Sequence, residues 1–405
     1  MSEFTFIDLF AGIGGFHQAM TKMGGKCVFA SEIDTNAAVV YEKNYGIYPA
    51  GDITKVVENE IPKFDILCAG FPCQAFSKAG YQKGFSDTRG TLFFDIERIL
   101  KYHLSVYKSP KIIVLENVRN LVSHDKGNTW ITIKKSLESL GYILPEEPII
   151  VSPHHFGIPQ LRERVVIIGV HNSVFNEKSV VIEIQKEQKK SSSPNTILND
   201  YDIANYQISE YEERILNVWD EFMKGIELKT IGFPIWIDFF TTSTNNELPK
   251  WKNEFIAKNN TLYVQNKDFI DSWLRKYDFL SWAVPTHRKF EWQAGTAIDT
   301  LWKGIIQFRP SGIRVKRPTA FPALVAMVHV PIIGWEKRRL SPKEAARLQC
   351  FPDNFLLHEQ DKVAFKQLGN AVNVEVIYNL LLSFEEKYGK IIDLLQSDKT
   401  IGKEV

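Results

Sequence analysis

The chain has 405 residues, 44% hydrophobic and 24% charged, the balance of an ordinary globular protein with room for two cores. A formal net charge of +1 excludes capture of a polyanion by overall charge, so such a partner must meet a local basic surface. Four cysteines without a CxxC pair argue against a disulfide framework or a thiolate zinc site, and they fit a reducing, cytoplasmic setting.

The start, Met1-Ser2-Glu3-Phe4, lacks the features of a signal peptide, and no apolar run approaches the roughly 20 residues that span a bilayer. From residue 1 to about 170, short apolar runs alternate with amphipathic stretches. Candidate strands are Phe4–Leu9, Cys27–Ser31, Asp65–Ala69, Ile112–Leu115 and Val165–Gly169. Continuous Ile, Val and Leu runs predict parallel strands covered on both faces, hence an α/β fold with a doubly wound, mostly parallel sheet. The polar run Lys186 to Asn195 then reads as a surface linker. Seven of the nine tryptophans (219, 236, 251, 273, 282, 292 and 302) follow it, which implies a second, smaller core of mixed structure. Ser341-Pro342-Lys343-Glu344 is a helix start with a capping box, and Ala364 to Leu382 is a helical pattern interrupted by Gly369-Asn370.

Residues that carry chemistry gather at strand ends. Asp8-Leu9-Phe10-Ala11-Gly12-Ile13-Gly14-Gly15 follows a strand and opens a helix, where glycines let the backbone approach a ligand. Nicotinamide, flavin and S-adenosylmethionine proteins share such a turn; the third Gly of GxGxxG is missing here, which tilts the reading away from a pyrophosphate cofactor. Glu32 stands 20 residues after Gly12, placed to accept from ribose hydroxyls or to be a solvated strand-end acid, and Asp52 ends a third segment. Cys73, in Gly70-Phe71-Pro72-Cys73-Gln74, sits on a turn after a buried strand, where a thiolate can act as a nucleophile. Glu116 follows another strand, as an active acid or a helix cap. Arg162 and Arg164, spaced i, i+2, read as crevice residues or as a surface salt-bridge pair.

Taken in order, Phe6 to Gly15, Gly70 to Gln74, Glu116-Asn117-Val118, Gln160 to Arg164 and Gln367-Leu368-Gly369-Asn370 resemble the DNA cytosine-5 methyltransferase family, bacterial modification type. The resemblance covers residues 4 to about 170 and about 309 to 380. It implies that Cys73 is the nucleophile, that Glu116 contacts the cytosine ring nitrogen and amino group, and that Arg164 holds the base carbonyl. Arg162 is then a support for the cysteine loop or a phosphate contact. Phe10, Glu32, Ile33, Asp52, Ile53, Pro72, Leu92 and Asn370 match positions of an S-adenosyl-L-methionine pocket, with Gly12, Gly14 and Gly15 beside the methionine moiety. The product would be S-adenosyl-L-homocysteine, and no metal is implied. Gly80, Gly84 and Arg89-Gly90-Thr91-Leu92 match a loop that folds over substrate.

The implied domains are 1–185, catalytic and cofactor-binding; 186–330, target-recognition; and 331–405, helices returning to the catalytic domain. Implied partners are double-stranded DNA, with the target base extruded, and a separately acting restriction endonuclease; the chain is expected to act as a monomer on DNA, away from membranes. Nine basic residues against one acid between Lys303 and Lys343 are the expected grip on the duplex. A tRNA methyltransferase carrying the same motifs is the rival within this chemistry, and glutamate at 116 is expected to be buried enough to hold a proton.

Overall fold

A computed structural model describes residues 4–72, 92–184, 193–198, 203–226, 231–245, 247–324 and 329–396. Cys73, Gly80, Gly84, Arg89, Gly90, Thr91 and most of the linker lie outside the described residues. Two units divide the chain, Met1–Ser192 with Ala345–Val405, and Ser193–Glu344. Among the described residues no helix is long and apolar enough to cross a membrane.

In the first unit, β1 (Phe4–Leu9), β2 (Gly25–Ser31), β3 (Ile66–Ala69) and β4 (Ile112–Val118) form the parallel part of a seven-stranded sheet, in the order β2-β1-β3-β4. Their continuous apolar runs are buried because helices cover them. On one face α3 (Leu92–Tyr107) and α4 (Asn128–Ser139) bury Phe93, Ile96, Ile99, Ile133 and Leu137 against Leu67, Ile113 and Leu115. α1 (Gly15–Lys22) and α2 (Thr35–Tyr45) follow β1 and β2. Asp34 starts α2 by accepting from the Asn36 and Ala37 N–H groups, and Gly46, at φ 70°, ends it.

One expectation needs correction. The run around Val165–Gly169 is not a parallel strand: it is β7 (Arg164–His171), antiparallel to β4, to β5 (Tyr142–Ile143) and to β6 (Ile149–Val151). A fully apolar run reports burial on both faces and carries no information about strand direction. The reversal matters, because it sets the first residue of β7, Arg164, opposite Val118 at the carboxyl end of β4.

The second unit is built on α5 (Glu210–Gly225), whose Ser209 and Glu212 form a capping box. A six-stranded sheet runs through β8 (Ile235–Trp236), β9 (Lys289–Gln293), β10 (Ile305–Arg309), β11 (Gly312–Lys316), β12 (Ile332–Ile333) and β13 (Arg338–Arg339), with α6 (Lys250–Gln265) and α7 (Lys267–Lys276) completing the unit. Trp219, Trp273 and Trp292 are core residues as the composition suggests, Trp219 stacked on Phe290 at 4.8 Å. Trp251 is exposed. The expected boundary at 330 is too early. β12 pairs with β10 and β13 with β12, so the chain stays in this unit until Glu344. Ser341 and Glu344 cap α8 (Pro342–Leu348) reciprocally, as the sequence indicates. The Ala364–Leu382 pattern resolves into α9 (Asp361–Asn370) and α10 (Val374–Tyr388), broken just after Asn370.

The basic stretch is less free than its composition implies. Lys303 pairs with Asp299, Arg314 with Glu291, Lys337 with Glu213, Arg338 with Glu336 and Glu344, and Arg339 with Glu212. Apart from Glu336, these acids lie outside the segment in the same unit, where counting along the segment does not find them.

Candidate active site

A pocket of about 560 Å³ opens at the carboxyl ends of β1, β3 and β4, where open α/β sheets bind ligands. Phe10, Gly12, Glu32, Ile33, Asp52, Ile53, Pro72, Leu92 and Asn370 all line it, together with Glu116, Arg162 and Arg164. The fold thus brings nine of the eleven expected cofactor positions and the described catalytic residues to one cavity. Gly14 and Gly15 do not line it. A Cβ on Gly14 would stand 2.3 Å from the Tyr45 ring, and one on Gly15 would stand 2.2 Å from the Val372 carbonyl. These two glycines let α1 pack closely, and Gly12, at φ 55°, is the one whose backbone faces the cavity. Phe10 holds φ 56°, a costly conformation for a side-chain-bearing residue, at the same turn.

The walls are set by hydrogen bonds. Glu32 accepts from the Gly12 N–H at 2.7 Å and the Asp34 N–H at 2.8 Å, one on each oxygen, so its carboxylate is fixed with acceptor capacity to spare. Burial raises its pKa above the usual carboxylate value, and those two N–H groups oppose the rise. Asp52 accepts from the Thr54 N–H and hydroxyl, and its pKa is lowered by the Thr54 hydroxyl first. Lys366 reaches Asp34 at 2.9 Å, and Ile33 is 70% exposed, an apolar side chain free to lie against a planar ring.

Glu116 is nearly enclosed and lies 2.9 Å from Arg164 Nε. Burial pushes its pKa up, against the pull of Arg164 and then Arg162. The expectation of a buried carboxyl poised to hold a proton is in keeping with this environment. Next to it, Asn117 donates to the Phe71 carbonyl at 2.8 Å and accepts from the Val118 N–H. It thereby ties β4 to the turn two residues before Cys73, a role that the motif contained but sequence reasoning gave to no residue.

Of the two roles expected of Arg162, support of the cysteine loop falls on residues outside those described. Arg162 is 3% exposed, and its Nη1 and Nη2 donate to the Gly369 and Ala371 carbonyls at 2.9 Å each. Burial lowers its pKa to about 9. A guanidinium so enclosed is not placed to meet a phosphate; it clasps the break between α9 and α10, which carries Asn370 into the cavity. Two further groups escaped the sequence reading. Gln367 lines the pocket with both amide atoms buried and unpartnered among the described residues, an unmet need that a polar ligand would answer. Asp8 is fully buried beneath the turn, and among the described residues neither carboxyl oxygen is in a well-formed hydrogen bond.

A doubly wound sheet with a Gly turn after its first strand, an acid after its second and a polar cleft carrying the unpartnered Gln367 amide fits a methionine-bearing nucleoside. These features suit the class of S-adenosylmethionine-dependent methyltransferases. The model of the C-5 cytosine-specific DNA methylase family matches residues 4–386, and the chain belongs to that family. It is 36% identical to the type II methyltransferase M.HpaII of Haemophilus parainfluenzae, over 96% of this chain and 92% of that protein. It is 33% identical to M.AluI of Cellulosimicrobium cellulans, covering 94% of this chain and 91% of the relative. Among solved structures, the S. pombe Dnmt2 methyltransferase superposes with a TM-score of 0.54 at 18% identity, over 95% of this chain and 99% of that one, which speaks for the fold. The protein is a DNA cytosine-5 methyltransferase.

Proposed function

We propose that Cys73 is the nucleophile of the methyl transfer, that Glu116 and Arg164 hold the target cytosine, and that residues 193–344 recognise the DNA. We further propose that the chain is the modification partner of a separate restriction endonuclease and works as a monomer on duplex DNA. The observation that carries the reading is the Glu116–Arg164 pair, an enclosed carboxyl and a guanidinium facing one pocket. A protonated carboxyl and an adjacent carbonyl acceptor match the ring nitrogen and amino group of cytosine, and a guanidinium matches its carbonyl.

Phe10, Glu32, Ile33, Asp52, Ile53, Pro72, Leu92 and Asn370, with the Gly12 backbone, would hold S-adenosyl-L-methionine. When bound, that cofactor supplies an electrophilic methyl group. Carbon 5 of cytosine is too weak a nucleophile to take it unaided. The Cys73 thiolate forms a bond to carbon 6, and the displaced ring electrons make carbon 5 nucleophilic while Glu116 holds a proton at the ring nitrogen. Once carbon 5 is methylated, a base removes its proton, the ring double bond re-forms and the sulfur–carbon bond breaks. None of this is feasible inside a stacked duplex, so the base must be extruded at a cost of about a few kcal/mol.

Bisulfite sequencing of DNA from cells expressing the chain tests the reading. Protected cytosines at one sequence with the wild type, and none with Cys73→Ala, are expected. Protection by the Cys73→Ala variant would overturn the assignment of the nucleophile. Resistance of the modified DNA to an endonuclease that cuts the same sequence tests the restriction–modification role.

A further inference from the structure

β9, β10 and β11 turn Phe290, Trp292, Ile306, Ile313 and Val315 into the core of the second unit. Alternate residues therefore share the opposite face. Register sets Arg314 between Glu291 on one side and Gln307 on the other, and sets Arg309 opposite Gly312, which offers it no side chain. Arg314 Nε and Nη2 both lie 2.7 Å from Glu291 Oε2. Arg309 Nη1 stands 4.0 Å from the same oxygen and is buried with no hydrogen-bond partner among the described residues.

Two guanidiniums side by side, one with an orphaned donor, are unfavourable in the free protein. Burial, followed by the neighbouring Arg314, lowers the pKa of Arg309, and Lys316 on the same face is lowered by burial, Arg314 and Arg309. The cost is explicable if an acceptor-rich ligand relieves it. A phosphate contact needs no such fixing, whereas a planar pair of acceptors demands a guanidinium of set position. The major groove admits a two-stranded ribbon, and guanine presents N7 and O6 there as adjacent acceptors.

We propose that the accessible part of this face, around Arg309, Arg314 and Glu291, lies against base edges in the major groove, with Arg309 reading a guanine and Glu291, through Arg314, fixing the place in which Arg309 waits. The inference rests on the assignment of residues 193–344 to target recognition.

The test is the recognised sequence itself. Bisulfite sequencing of a plasmid carrying random inserts, methylated by the wild type, defines it; wild-type modification without sequence preference would break the underlying assignment instead. Arg309→Ala and Arg309→Lys are expected to lose preference for one guanine position about ten- to a hundred-fold, other positions keeping theirs. Glu291→Gln should relax the same position to a smaller degree. Affinity for S-adenosylhomocysteine, measured on the same preparations, should match the wild type and so report an intact first unit. Uniform weakening at every position, with a salt slope reduced by about one, would mark Arg309 as a phosphate contact and overturn the proposal. So would an unchanged sequence preference. If a variant methylates nothing, selection of bound duplexes from a randomised pool gives the same reading: loss of one guanine supports the proposal, and unchanged enrichment or equal loss everywhere refutes it.

Discussion

Replacing Arg162 by lysine separates the two roles open to this residue, a contact with substrate and a clasp on the chain. In the structure its fork spans the Gly369 and Ala371 carbonyls, 2.9 Å to each, across the break that presents Asn370 to the pocket. Lysine keeps the charge and loses the fork, so at least one of two charge-assisted bonds goes. A hydrogen bond to a charged group is worth about 1.5–3 kcal/mol net. A loss near 2 kcal/mol corresponds to a melting temperature lower by about 4–8 °C for a domain of this size. If the same segment must be ordered to bind cofactor, the dissociation constant for S-adenosylhomocysteine rises at least about tenfold, since 1.4 kcal/mol is a factor of ten. Isothermal titration calorimetry and thermal unfolding of the variant measure both. Unchanged cofactor affinity and melting, with a lowered kcat, would refute the clasp and return Arg162 to the substrate.

Glu116→Gln should lower kcat by about 10²–10⁴ and leave S-adenosylhomocysteine binding intact. Because burial raises the Glu116 pKa, the protonated form persists above the ordinary carboxylate range; the wild-type single-turnover rate should carry a limb that falls as pH rises through that raised value, and the variant should lack it. Asp8→Asn tests a stability linkage. Burial raises the Asp8 pKa well above 3.8, so its contribution is fully present below the unfolded value and is lost as pH rises through the folded one. The wild type should therefore lose stability with rising pH more steeply than Asp8→Asn, by urea midpoints between pH 5 and 8; parallel slopes would count against an unmet Asp8 carboxyl. Gly15→Ala should be the worse of two glycine changes. Its Cβ would meet the Val372 carbonyl at 2.2 Å, whereas Gly12→Ala meets nothing within 4 Å and costs about 1–2 kcal/mol of backbone strain; unfolding midpoints in the reverse order would contradict the packing role.

Much of the first unit was legible because its chemistry is tied to strand ends. A buried apolar run followed by Gly, Glu or Asn marks both a strand and the crevice at its carboxyl edge, and nine of the eleven expected cofactor positions line one cavity. What the pattern cannot carry is direction and partnership. β7 reads the same forwards or backwards, yet its reversal brings Arg164 beside Glu116. Arg162 reads equally as a crevice residue or as half of a surface salt-bridge pair until its acceptors, 207 and 209 residues away, are known. Gly14 and Gly15 look like ligand glycines, but Tyr45 and Val372 are what they make room for. The basic stretch from Lys303 to Lys343 looks unopposed until Glu212, Glu213, Glu291 and Asp299 fold onto it. In each case the missing information is long-range in sequence and short-range in space.

The central claim, that a thiolate from residue 73 attacks a base held by Glu116, is tested most directly by a duplex in which 5-fluorocytosine replaces the target. Fluorine at carbon 5 cannot leave as a proton does, so the enzyme should stay bonded to the DNA. Mass spectrometry of the digested adduct should find the nucleotide on Cys73. An adduct on any other residue, or methylation of the ordinary duplex with no adduct on the fluorinated one, would contradict the account.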